Sequence, residues 1–234
     1  MTGFHRYQLR TTDPAAARAF YAAVVGAAVA EQLSIVTLPA EAAARGAPAH
    51  WLGMVGVDDI ERVAAAFVGR GATRLGPTRP LPGGGELAIV RDPEGAVLGL
   101  ATSTAPAPAR DQRVHWHQLH TTDLAAATTS YTALFGWHLT GRIDLGAAGS
   151  HQHFAWEAGG ADVGSMAETA RRPGVHPHWL FHLGVADLDL ALTAARVAGA
   201  TVLGPFDLPG GVRVAVLDDP QGAAIGLCVP RRSS

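Results

Sequence analysis

The stretch HWHQLHTTD, residues 115–123, carries three imidazoles within six positions. An imidazole can ligate a metal, move a proton, or exchange hydrogen bonds with a ligand. Which of these is open depends on where the side chains point. Strand residues alternate between two faces. Trp116, Gln118 and His120 therefore share one face, and His115, His117 and Leu119 share the other. The pleat splits the apparent cluster, leaving His120 with a glutamine and a tryptophan.

A second copy shows that this stretch belongs to a larger pattern. HRYQLRTTD at 5–13 matches HWHQLHTTD at six of nine positions, 110 residues earlier. HWLGMVGVDD at 50–59 answers HWLFHLGVAD at 178–187, GATRLGP at 71–77 answers GATVLGP at 199–205, and the LPGG turns at 81–84 and 208–211 correspond. DPEGAVLGL at 92–100 answers DPQGAAIGL at 219–227. Five matched blocks in one order make the chain two homologous halves. The halves are expected at 1–104 and 113–231, joined by a Pro/Ala linker at 105–112. The offset grows from 110 to 128, so the first half is about 18 residues shorter between its opening helix and His50. The second half keeps HLTGRIDLG, HQHFAWEAGG and DVGSMAE in that interval, three expected strands, where the first keeps only EQLSIVTLP.

The elements that position the candidate residues follow from local signals. Asp13, Asp59, Asp123 and Asp187 each end a strand and precede an Ala- or Leu-rich helical run, as helix caps do. Gly26, Gly71, Gly136 and Gly199 are placed to close those helices. Strand, helix and several strands, four times over, predict an α+β fold with helices covering one face of each sheet.

Composition narrows the chemistry. Apolar residues make up 48% of 234 residues, enough for a packed core. A net charge of −2 without long like-charge runs argues against nucleic acid or an anionic membrane as partner. All 18 basic residues are arginine, which excludes Schiff-base and pyridoxal-phosphate chemistry for want of a lysine amine. Cys228 is the only cysteine and is expected in a buried strand, so neither an intrachain disulfide nor a thiolate zinc site is available. The start MTGFHRYQLR reads as no signal segment, and the protein is expected in the cytoplasm as a monomer or homodimer.

TTDPAAARAFYAAVVG, TTDLAAATTSYTALFGW and the two DP-x-GA-x-x-GL endings resemble the vicinal oxygen chelate superfamily of glyoxalases, bleomycin-resistance proteins and extradiol dioxygenases. The resemblance implies two tandem domains, the first trimmed, each of paired βαβββ units whose curled mixed sheet surrounds a cleft. It also implies a metal held by His, Gln or Glu on the cleft face. Here those positions hold Arg6 and Trp116, Leu52 and Leu180, and Gly99 and Gly226. These bind a divalent ion poorly or not at all. No metal and no cofactor are therefore expected.

With position 116 facing the cleft, Trp116, Gln118 and His120 line it, joined on the partner strand by Leu180 and His182. One face of 151–157 joins them, either His151 with His153 or Gln152 with Phe154 and Trp156. His153 and Trp156 are named as candidate binding residues from those two alternatives. Arg6, Gln8, Arg10 and Met54 are the counterparts in the first half, where the partner-strand residues Leu52, Met54 and Gly56 include no titratable group. His176 and His178 flank Pro177 where a strand begins. The first expectation for function is a metal-independent binder of an apolar or aromatic small molecule, a secondary metabolite or drug-like compound. The alternative is a metal-independent lyase, isomerase or cyclase of secondary metabolism, with His120 and His182 as acid and base. A third reading is a glyoxalase- or dioxygenase-like enzyme with a non-standard metal site.

Overall fold

The computed structural model describes residues 2–82, 84–102, 113–146 and 149–230. The linker expected at 105–112 lies outside the described residues. The first repeat runs β1 (Phe4–Thr11), α1 (Pro14–Val25), α2 (Ala27–Ala30), β2 (Ser34–Thr37), α3 (Ala40–Ala44), β3 (His50–Gly56) and α4 (Ile60–Val68). It continues through β4 (Thr73–Arg74), β5 (Arg79–Pro80), β6 (Glu86–Arg91) and β7 (Val97–Ala101). The second repeat runs β8 (Val114–His120), α5 (Leu124–Phe135), β9 (His138–Asp144), β10 (Ser150–Ala155) and β11 (Gly164–Ala167). A 3-10 turn (Glu168–Arg171) leads to β12 (His178–Gly184), α6 (Leu188–Val197), β13 (Thr201–Leu208), β14 (Val212–Asp218) and β15 (Ala224–Cys228).

These strands form two mixed sheets, in the orders β2-β1-β3-β7-β6-β4, with β5 on β6, and β13-β14-β15-β12-β8-β11-β10-β9. The fold class is α+β, as expected. All four aspartates cap their helices: Asp13 accepts from Ala15 and Ala16, Asp59 from Arg62, Asp123 from Ala126 and Asp187 from Leu190. The helices α4 and α6 end at Val68 and Val197, short of the glycines expected to close them. Gly71 and Gly199 instead take positive φ in the turn that follows.

Strand register shows where the first repeat is trimmed. Gln8 lies opposite Ser34 on the parallel pair β1–β2, and Gln118 opposite Ser165 on the parallel pair β8–β11. β2 is thus the counterpart of β11, and the first repeat lacks the β9–β10 hairpin. All three strands expected in the second repeat form.

Contacts divide the chain into two compact units, each drawing on both repeats. One comprises the described parts of Met1–Arg6, Gly53–Asp111 and Trp116–Trp179; the other takes Tyr7–Leu52, Gln112–His115 and Leu180–Ser234. In the first unit α4 meets α5, with Phe67 5.8 Å from Tyr131 and 5.9 Å from Phe135. Trp137 stacks on Phe154 at 4.9 Å beneath them. The Tyr131 hydroxyl donates to Asp92 at 3.0 Å and receives the Trp179 N–H at 3.1 Å. The second unit repeats this device: Tyr21 donates to Asp219 at 3.3 Å and receives the Trp51 N–H at 2.9 Å. Each tyrosine comes from the first helix of one repeat and each aspartate from the DP-x-G turn of the other. Burial raises both phenols above their usual range, so both remain O–H donors.

Candidate functional site

In β8, His117 and Leu119 are buried, whereas Trp116, Gln118 and His120 are only partly covered. The expected alternation therefore holds. The register of β11 extends the Gln118 face, because Ser165 lies opposite Gln118 and Ala167 opposite His120. On β10, His153 lies opposite Ser165 and His151 opposite Ala167. His151 and His153 therefore share the face of Trp116, Gln118 and His120. Phe154 lies opposite Gly164 on the other face.

This overturns one expected placement. Trp156 is only 5% exposed and sits among Phe4, His117 and Trp137, with ring centroids 6.1, 5.0 and 4.8 Å away. It is a core aromatic. The indole fills the apolar layer between sheet and helices, where its large surface is most stabilising.

Three small networks hold the polar groups of this face. The Trp116 N–H donates to the buried Ser165 hydroxyl at 3.3 Å, and Ser165 lies 3.4 Å from His151 Nδ1. The Trp116 ring meets His153 edge-on at 5.1 Å. His153 Nδ1 is 2.9 Å from Asp162 Oδ2, whose other oxygen accepts from the Thr140 hydroxyl at 2.5 Å. Burial opposes ionisation of Asp162, but Thr140 and His153 outweigh it and hold the carboxyl below its usual range. Asp162 is therefore a carboxylate at neutral pH. His120 Nδ1 bonds the Thr169 hydroxyl, and its ring stacks on His178 at 4.6 Å. His178 in turn contacts His176 at 4.8 Å. Burial lowers His178 to about 4, so it stacks as a neutral ring.

His182 and Leu180 belong to the other unit, and both are buried. Leu180 is 1% exposed and His182 3%. Neither ring nitrogen of His182 has a hydrogen-bond partner among the described residues, and burial lowers it to about 4. Its ring lies over Gly226: a Cβ there would come 2.5 Å from His182 Cγ and 2.6 Å from Cε1. The imidazole thus occupies the space a side chain at 226 would need. In the first repeat Met54, 2% exposed, and Leu87 fill the same space over Gly99, with Cγ and Cδ1 at 2.9 and 2.8 Å from a hypothetical Cβ. Met54 therefore lines no open cleft. Of its neighbours, Arg10 Nε donates to Gln8 at 3.1 Å, and Gln8 reaches Ser34 at 3.4 Å. Arg6 is partly covered on the same face of β1.

A divalent ion does not fit the positions where the family resemblance places metal ligands. The two glycine positions are filled by an imidazole and by apolar groups, and Leu52 and Leu180 are buried hydrocarbon. Among the described residues no three of His, Cys, Asp and Glu gather into a metal-holding group. Cys228, in β15, is buried, and its thiol is pushed up to about 11, so it is no nucleophile at neutral pH.

Sequence reasoning missed Asp162, Thr140, Ser165 and Thr169. Asp162 lies outside any strand and is brought to His153 by the β10–β11 turn. Only the strand register, which alternation along one strand cannot supply, distinguishes His151 and His153 from Gln152 and Phe154.

Comparisons with known proteins agree with this architecture. Residues 3–100 and 113–227 match the family described as Glyoxalase/Bleomycin resistance protein/Dioxygenase superfamily. A Mycobacterium tuberculosis protein named "Putative glyoxylase CFP32" is 30% identical over 245 residues, covering 95% of this chain and 92% of that protein. The anthracycline biosynthesis protein DnrV of Streptomyces peucetius is 31% identical over 126 residues, 48% of this chain and 45% of that protein. Among solved structures, the Mn(II)-bound glyoxalase from Novosphingobium aromaticivorans aligns with TM-score 0.62 at 14% identity, covering 97% of this chain and 81% of that one. Homoprotocatechuate 2,3-dioxygenase from Brevibacterium fuscum aligns with TM-score 0.65 at 15% identity, covering 97% and 80%. At such identity these two show the fold alone. Family match, full-length relative and architecture together make the chain a member of the glyoxalase/bleomycin resistance protein/dioxygenase superfamily.

Proposed function

We propose that the protein binds an apolar, aromatic small molecule on the Trp116 face of its second repeat, without a metal ion. The observation that carries this reading is Trp116 itself, which stands where the family resemblance places a metal ligand. It is half-buried on a face with Gln118, His120 and His153, with its N–H tied to Ser165. An aromatic wall with a few fixed polar groups is the usual composition of a small-molecule site. The likeness to an anthracycline biosynthesis protein favours a polycyclic aromatic ligand carrying phenol or quinone oxygens. Gln118 and His120 would meet those oxygens.

Fluorescence titration with an anthracyclinone and simpler hydroxyquinones, beside elemental analysis of the purified chain, tests this. Saturable binding without stoichiometric metal is expected, weakened about tenfold by Trp116→Ala through loss of roughly 1–1.5 kcal/mol of ring contact. Metal at about one per chain, or affinity unchanged in Trp116→Ala, would remove the proposal.

A further inference from the structure

His153 and Asp162 form a pair that ligand binding alone does not require. The Asp162 carboxylate faces Nδ1 of the ring and is itself fixed on its other oxygen by Thr140. Thr140 can do this because β9 is bulged there. Gly141 pairs with His153 and Leu139 with Phe154, so Thr140 is the unpaired extra residue. Bulges re-aim side chains and concentrate near functional sites. A carboxylate on Nδ1 fixes one tautomer, with the proton on Nδ1 and a lone pair on Nε2. His153 Nε2 has no hydrogen-bond partner among the described residues, and the side chain keeps 16% of its surface exposed. The Trp116 edge contact at 5.1 Å places this ring beside the aromatic wall.

We propose that His153 is a general base, with Asp162 as its positioning residue, acting on an aromatic substrate held against Trp116. The substrate class is an apolar aromatic compound with a weakly acidic C–H or phenolic O–H. Nε2 takes the proton, and the freed electron pair does one of three things. It makes an oxyanion as the adjacent π pair moves onto oxygen, it forms a new π bond as a β substituent departs with the pair of its own bond, or it closes a ring on a carbonyl carbon whose π pair moves to oxygen. The proton returns to the substrate, to the departing group or to the new alkoxide. Nothing is oxidised or reduced, so the reaction class is isomerisation, elimination or cyclisation. The inference rests on the proposed ligand face for its substrate class but not for its chemistry, so the two fail separately.

The test uses the full chain and 5-nitrobenzisoxazole, an aromatic carbon acid. Abstraction of its C3 proton forms the nitrile while the N–O bond breaks, leaving its electron pair on the phenolate oxygen of 2-cyano-4-nitrophenolate. Turnover above buffer is expected, falling on the order of a hundredfold in His153→Gln. It should stay within about twofold in a His50→Gln control, a β3 residue of the first repeat whose Nδ1 bonds the Pro48 carbonyl. Asp162→Ala should lower kcat about tenfold or more with KM nearly constant, and Asp162→Glu should restore part of it. Nitrogen-15 NMR should show His153 as the Nδ1–H tautomer in the wild type and a tautomer mixture in Asp162→Ala, a readout that a merely structural aspartate would not move. Wild-type turnover in His153→Gln, absence of any turnover above buffer, or an unchanged tautomer in Asp162→Ala would overturn the proposal. Failure of anthracyclinone binding with these results intact would remove only the ligand assignment.

Discussion

Gly226 and His182 make a prediction whose size follows from their geometry. A methyl group at 226 would sit 2.5 Å from His182 Cγ and 2.6 Å from Cε1, well inside van der Waals contact. The ring cannot swing into solvent cheaply, because the residue is only 3% exposed. Gly226→Ala should therefore cost about 1–3 kcal/mol, the usual range for overpacking a filled core. His182→Ala opens the space. It loses packing and leaves a cavity, but it also removes a buried imidazole with no hydrogen-bond partner among the described residues, whose burial costs roughly 1–3 kcal/mol. These contributions oppose each other, so the single variant should fall within about 2 kcal/mol of wild type. In the His182→Ala background Gly226→Ala should turn neutral or stabilising by about 0.5 kcal/mol, since alanine orders a strand better than glycine. The coupling between the two changes is then about 2 kcal/mol. Urea unfolding of the four proteins, followed by tryptophan fluorescence, measures it. An equal penalty for Gly226→Ala in both backgrounds would show that His182 does not fill the glycine's space. The same geometry says that a carboxylate ligand cannot be introduced at 226 by one substitution.

Two further outcomes follow. Tyr131→Phe strands the buried Trp179 N–H and removes a donor from Asp92, so it should destabilise by roughly 2–5 kcal/mol in urea; Tyr21→Phe, the counterpart, should do the same, and a loss under 0.5 kcal/mol in both would deny the pairs a structural role. His178 and His182 are lowered to about 4 from an unfolded value near 6.5, so the unfolded chain binds more protons between those values; stability should therefore be full above pH 6.5 and fall as pH drops towards 4, by up to about 1.4 kcal/mol per pH unit per ring, and His182→Gln should flatten the slope measured by unfolding at several pH values.

The sequence by itself determined the repeat, the α+β class, the four aspartate caps and the shortened interval in the first half. These rest on local signals, a cap beside its helix or a side chain alternating along its own strand, and local signals survive whatever the rest of the chain does. Alternation also separated Trp116, Gln118 and His120 from His117 and Leu119, and the structure keeps that division. It could not say which face of β10 joins them, because a strand's period groups its own residues while the register of its neighbour decides whom they meet. Pairing of β10 with β11 put His151 and His153 on the Trp116 face and sent Trp156 into the core. The bulge at Thr140 and the arrival of Asp162 at His153 depend on two strand ladders at once. The crosswise Tyr–Asp pairs link residues 198 and 39 positions apart. Such contacts form only when separate hydrophobic faces find one burial, and that choice belongs to the whole chain rather than to any stretch of it.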